Sequence, residues 1–211
     1  MKFFPIEAQL SSRLSEDPRS IRAREAFHQA LQELLKTVPY QRITVTDISV
    51  KSGYSRHTFY NHYESKDELL NSVIDGILET YFVNIGPWDS VRRDPDGDRR
   101  IGQRFFEVWG EHSDVVRMLN TIDIDHLLIS RLTTRFAQYF DEQFNPKEIS
   151  EASNALISFI VTLLAYSYAG VLRQWLLYDM RYSPEVMGRF LNHFTGKETS
   201  TVIAKFKKEI R

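Results

Sequence analysis

The run Ser55-Arg56-His57-Thr58-Phe59-Tyr60-Asn61-His62 concentrates hydrogen-bonding side chains around one large apolar residue. Arg56 suits the paired acceptors of guanine and Asn61 the donor and acceptor of adenine, so this set has the chemistry to read base edges in a major groove. Tyr60 and Lys66 suit phosphates, which fix orientation without carrying base information. The same residues would equally suit a solvated polar face on a small helical pair. Other chemistries find less support. No Cys occurs in the 211 residues, which removes disulfides, thiol nucleophiles and cysteine zinc sites. Of the histidines at 28, 57, 62, 112, 126 and 193, His57 and His62 are five apart and do not share a helical face. Asp123, Asp125 and His126 lie close enough in sequence to form a metal site, but acids at a helix start beside a solvated histidine account for them as well. No nucleophile elbow, phosphate loop or paired-carboxylate pattern occurs, so neither an enzyme, a metal nor a cofactor is expected.

Such a set needs a short helix held out from a small domain. Thr44 caps a first helix, with Asp47 three residues on as its capping-box partner. Gly53 ends it in the left-handed conformation. Ser55 then caps a second helix over about Arg56 to His62, and Phe59 and Tyr63, four apart, face inward with Ile48. Two short helices around a glycine turn make a helix-turn-helix. Ahead of them, Phe27, Ala30, Leu31, Leu34, Leu35 and Val38 recur at helical spacing from Ser20 to Val38, where Pro39 ends the helix. Its apolar face would cover the pair.

From Ile43 to Leu70 the chain resembles the DNA-binding region of the TetR family of bacterial transcription regulators. The resemblance is carried by Gly53-Tyr54-Ser55, Thr58-Phe59-Tyr60-Asn61-His62-Tyr63 and Ser65-Lys66-Asp67-Glu68-Leu69-Leu70. It implies DNA contacts from Thr44, Thr46, Ser55, Arg56, His57, Thr58, Tyr60, Asn61, His62 and Lys66. It departs from the family pattern at Ser49 and Ser52, where small apolar residues are common, and at Tyr54, where an aliphatic residue fills the turn. The function implied is a regulator, repression being the commoner outcome, that binds a pseudo-palindromic operator as a dimer and answers to a small-molecule effector. A helical dimeric interaction or adaptor protein without sequence-specific DNA binding is the alternative.

Charge agrees with a DNA-binding front end. Arg19 to Lys66 carries eight Lys or Arg against four acids, so a head of +4 is joined to a remainder of −5 within a net charge of −1. Residues 1–17 read as a mobile arm, 18–64 as the DNA-binding head, 65–196 as a helical effector-binding and dimerisation domain, and 197–211 as a tail. The expected location is the cytoplasm, on the nucleoid when DNA is bound.

The larger domain reads as helices throughout, which makes the fold all-α. Ser65 and Glu68 open a connector helix to about Asn84, and a loop rich in Pro, Gly and Asp follows over 86–98. Further helices carry Ile101, Phe105, Val108, Trp109 and His112, then a short one from Ser113 to Asn120, then about Asp125 to Phe144, and one restarted at Asn145-Pro146. The uncharged run Ala152 to Leu172 is long enough to cross a bilayer, but Ser153, Asn154, Ser158, Thr162, Tyr166, Ser167 and Tyr168 make it too polar. A helix apolar on nearly every side must be covered on every side. Small residues at Ala165 and Ala169, with Leu172 and with Phe190 and Phe194 of a last helix capped by Ser183-Pro184, would pair two subunits in a four-helix bundle. Phe105, Trp109, Phe136, Tyr139, Phe140 and Tyr166, with Met118 and His126 as soft or polar partners, would line a cavity for an apolar or aromatic effector, or simply pack as core. The region from Ala169-Gly170 to Met187 also resembles a branch that includes dihydroxyacetone-kinase regulators, in which a protein partner is the effector.

Overall fold

Asp17 accepts a hydrogen bond from the Arg19 amide at 2.9 Å and, with Pro18 following, starts the first helix two residues before Ser20. The computed structural model describes residues 17–86, 97–115, 125–143 and 151–195. All regular structure among them is helical. We number the helices α1 Pro18–Leu35, α2 Val45–Ser52, α3 Arg56–Tyr60, α4 Lys66–Ile85, α5 Gly97–Glu111, α6 Asp125–Gln143, α7 Glu151–Leu177 and α8 Pro184–Thr195, with a short 3₁₀ turn at Tyr40–Arg42. The expectations for residues 1–16, the loop after Gly86, the short helix beyond Val115, the restart at Asn145 and the tail from Gly196 lie outside the described residues.

The chain divides into two units, Met1–Ile74 and Asp75–Arg211, with α4 running across the division. In the first unit α1 supplies the covering face. Ala23, Phe27, Ala30 and Leu31 are buried along it, and Ile48, Phe59, Tyr63, Leu69 and Leu70 are buried in the same unit. Phe27 is the hub, with Tyr54, Phe59 and Tyr63 ring centroids 5.6, 5.3 and 6.3 Å away. Tyr54 therefore packs in the turn where an aliphatic residue is usual.

The second unit is built around aromatic rings. Tyr81 and Phe82 from α4, Phe105, Phe106 and Trp109 from α5, Phe136 and Phe140 from α6, and Tyr168 and Trp175 from α7 are all buried. Most meet edge to face, such as Phe105 on Tyr168 at 4.7 Å and Phe136 on Tyr168 at 5.2 Å, the arrangement that ring quadrupoles favour. Arg131 and Arg135 on α6 pair with Asp75 and Glu79 on α4, Arg131 to Asp75 at 2.8 Å. Residues Ala155–Leu177 have the length and composition to cross a membrane. Yet Val161, Ala165, Tyr168, Leu172 and Trp175 on that helix are buried against their own chain, so a single apolar face remains rather than a cylinder.

Candidate nucleic-acid interface

Helix α2 starts on a complete capping box: the Asp47 amide donates to Thr44 Oγ1 at 3.2 Å, and the Thr44 amide donates to Asp47 Oδ2 at 2.8 Å. Gly53 closes it with φ of +77°, a conformation that costs a residue with a side chain. Ser55 Oγ accepts the Thr58 amide at 3.0 Å and starts α3, which ends at Tyr60, two residues short of the expected end at His62. The residues beyond Tyr60 form a turn, because the Tyr63 amide still bonds Phe59 while Tyr63 itself must drop into the core.

This local chemistry turns one face of α3 outward. Ser55, Arg56, His57, Tyr60 and Asn61 are exposed, Thr58 and His62 half-buried, and Phe59 wholly buried beneath them. The Ser55 and Thr58 hydroxyls bond each other at 2.9 Å in the cap, which leaves Arg56, His57, Tyr60 and Asn61 as the groups turned to solvent. Thr44 and Thr46 are exposed at the start of α2, the Thr44 hydroxyl donating to Asp47 at 2.7 Å. An exposed set of donors and acceptors on a helix braced from behind can enter a groove without rearrangement.

Lys66, expected to meet a phosphate, is held within its own chain in the DNA-free protein. Its ammonium donates to the carbonyls of Tyr40, Gln41 and Ile43 at 2.9, 3.4 and 2.9 Å and sits 4.5 Å over the Tyr40 ring. The sequence places Tyr40 and His28 within the head but gives no sign of their contacts: the Tyr40 hydroxyl donates to Asp67. His28 Nε2 lies 3.1 Å from the Tyr63 hydroxyl and 2.9 Å from Ser72 Oγ. These partners are 26 to 44 residues apart, beyond the reach of any helical spacing.

The expected effector residues divide. Phe105, Trp109, Phe136 and Phe140 are buried together in the aromatic core, and Tyr139 donates its hydroxyl to the Gly86 carbonyl at 3.0 Å. Tyr166 does not join them, being 60% exposed on the side of α7 away from Tyr168. Met118 and the side chain of His126, like Asp123 and the side chain of Asp125, lie outside the described residues. Trp109 Nε1 is buried and meets no acceptor among the described residues. Among those residues no group of three His, Cys, Asp or Glu is placed to hold a metal.

The expected pairing surface is corrected more sharply. Ala165, Ala169 and Leu172 face the chain's own core, because their side of α7 packs on α6 and the aromatic rings. The outward face carries Phe159, Leu163 and Tyr166, at 74%, 59% and 60% exposure, with Gly170 next. On α8 the exposed apolar residues are Val186, Phe190 and Phe194.

Residues 29–73 match the family model described as bacterial regulatory proteins of the tetR family, and residues 100–197 match one described as a transcriptional regulator C-terminal region. Among curated proteins the chain is similar to the uncharacterized HTH-type transcriptional regulator YxbF of Bacillus subtilis, 44% identical over 59 residues, 28% of this chain and 16% of that protein. It is similar to the HTH-type transcriptional regulator EthR of Mycolicibacterium smegmatis, 33% identical over 111 residues, 51% of this chain and 48% of that one. It is also similar to the nucleoid occlusion factor SlmA of Shewanella sp. (strain MR-4), 27% identical over 122 residues, 56% of this chain and 62% of that one. The chain thus spans less than two thirds of each of these relatives. Solved structures of similar fold include the dihydroxyacetone kinase operon activator DhaS, with TM-score 0.55, 18% identity and 82% and 93% of the two chains covered. A TetR transcriptional regulator from Streptococcus agalactiae 2603V superposes with TM-score 0.53, 20% identity and 89% and 98% coverage.

Proposed function

The chain belongs to the tetR family of bacterial regulatory proteins and is a DNA-binding transcriptional regulator, and on that footing we propose that it is a dimeric repressor of an operator with two inverted half-sites. The observation that carries the reading is the division of α3 into a buried Phe59 and an outward row of Arg56, His57, Tyr60 and Asn61. Arg56 and Asn61 take the base contacts, and Tyr60 meets the backbone. The cytoplasm, where the nucleoid is reached directly, is the place of action.

The dimer forms through the outward faces of α7 and α8. Phe159, Leu163, Tyr166 and Gly170 recur at steps of four, three and four, the seam that lets two helices lie along each other. Two subunits related by a two-fold axis bring two copies of α3 to one face of the duplex. An apolar effector bearing a hydrogen-bond acceptor binds in the aromatic core, where the Trp109 indole N–H meets no acceptor among the described residues. Its differential affinity for two arrangements of the dimer changes operator occupancy.

The test is a titration of one duplex against a scrambled competitor in rising salt. A sequence-reading protein keeps its preference as both affinities fall, while an electrostatic adaptor loses both duplexes alike. Arg56→Ala should relax specificity at one base pair, and Leu163→Arg should leave a monomer in sedimentation and abolish tight binding.

A further inference from the structure

The outward reading face depends on where α2 begins, and α2 begins on a peptide bond gripped from both sides. The peptide joining Ile43 to Thr44 offers its carbonyl to the Lys66 ammonium at 2.9 Å and its N–H to the Asp47 carboxylate at 2.8 Å. Lys66 reaches back across 26, 25 and 23 residues to the carbonyls of Tyr40, Gln41 and Ile43, which close the 3₁₀ turn between α1 and α2. An ammonium has three donors and no acceptor, so three carbonyls saturate it. The Tyr40 ring lies beneath the charge, and the Tyr40 hydroxyl is held by Asp67, the residue after Lys66.

We propose that Lys66 is a positioning residue, not a phosphate ligand: the first turn of α4 pins the 3₁₀ turn and the Thr44 cap, and so sets where the reading pair stands. The proposal rests on the DNA-binding reading above, but its geometry exists without DNA. Three features favour it. The ammonium is directed into the turn, toward three carbonyls. Lys66 as a whole is half-buried rather than exposed. And burial together with the Asp67 carboxylate pushes the Tyr40 phenol well above its ordinary range, which keeps it neutral and able to donate to Asp67. The cluster is therefore a closed network in which each polar group is satisfied by another.

The two roles separate in solution. Lys66→Met keeps the stem and removes the donors. If Lys66 positions the turn, affinity for a duplex selected from a random pool falls roughly tenfold, as expected when part-buried carbonyls lose a charged donor. The slope of log affinity against log salt stays that of the parent, since no phosphate contact is lost, and Lys66→Arg restores binding in part. Hydrogen exchange of the Thr44 and Ile48 amides accelerates in the DNA-free variant while the thermal midpoint of the second unit is unchanged. A slope smaller by about one, the signature of one lost phosphate contact, with exchange at Thr44 unaltered, would overturn the proposal. So would a variant with no change in either. An arm that needs no variant uses the parent protein and an acetylating reagent. Lys66 should label far more slowly than Lys36 without DNA, with no added protection when the duplex binds. Labelling at the Lys36 rate, with protection only on adding duplex, would return Lys66 to the phosphate backbone and leave the DNA-binding reading intact.

Discussion

Phe27 on α1 meets Phe59 on the reading helix edge-on, with ring centroids 5.3 Å apart and both side chains wholly buried. This contact braces the covering helix against the back of the outward face of α3, the face proposed to read DNA. Phe27→Ala leaves a cavity beneath three other aromatic rings, at a cost of about 3 to 5 kcal/mol. Denaturant unfolding of the first unit should show that loss, and specific binding should fall with it even though Phe27 touches no DNA.

Burial, and after it the Arg24 guanidinium, lowers the His28 pKa to about 4 from its ordinary 6.5. The unfolded chain therefore takes up a proton below about pH 6.5 that the folded head refuses until about pH 4. Stability from this group is full at neutral pH and is lost as pH falls through that window, by at most about 1.4 kcal/mol per pH unit. His28→Gln should flatten the acid side of the stability profile relative to the parent. Urea midpoints at pH 7 and pH 5 would check this, and parallel profiles for the two proteins would contradict it.

Ser49 is buried in α2 and its hydroxyl oxygen has no partner among the described residues. A buried hydroxyl without a hydrogen bond costs about 1 to 3 kcal/mol. Ser49→Ala should therefore raise the unfolding midpoint of the head and leave DNA specificity unchanged, since the side chain lies on the inner face.

Helices α5 and α8 cross where both are glycine. A Cβ added at Gly188 would stand 2.3 Å from the Gln103 amide nitrogen, and one at Gly102 would stand 2.9 Å from the Gly188 carbonyl oxygen. The obstacle is backbone, which cannot turn aside as a side chain can. Gly188→Ala should cost about 3 kcal/mol by overpacking and displace α8 with its exposed Val186, Phe190 and Phe194. Calorimetry would register the first effect, and a rise in the dimer dissociation constant by sedimentation the second.

The head was legible because its signals are local. Thr44 with Asp47, Gly53 and Ser55 with Thr58 act within three residues, and each bond forms between the partners that their spacing names. The three carbonyls that Lys66 meets could not be read there, because they come from a turn more than twenty residues earlier, a meeting made only by the fold. The outward side of α7 was misread for a different reason. Without charges along Ala152 to Leu172, polarity gives no direction. Small size then suggested Ala165 and Ala169 as the contact, whereas those alanines make room for the chain's own aromatic core. Tyr166 fell with the same choice of face.

The central claim is that Arg56, His57, Tyr60 and Asn61 read base pairs twice, once from each subunit of a symmetric pair. Selecting duplexes from a random pool with the purified protein tests it directly. The account predicts one recovered sequence with two inverted half-sites whose centres are about one helical turn, or a multiple of it, apart, lost on Leu163→Arg and relaxed at a single position in each half by Arg56→Ala. A pool that yields no common sequence, or a lone half-site bound by one chain at micromolar protein, would contradict it.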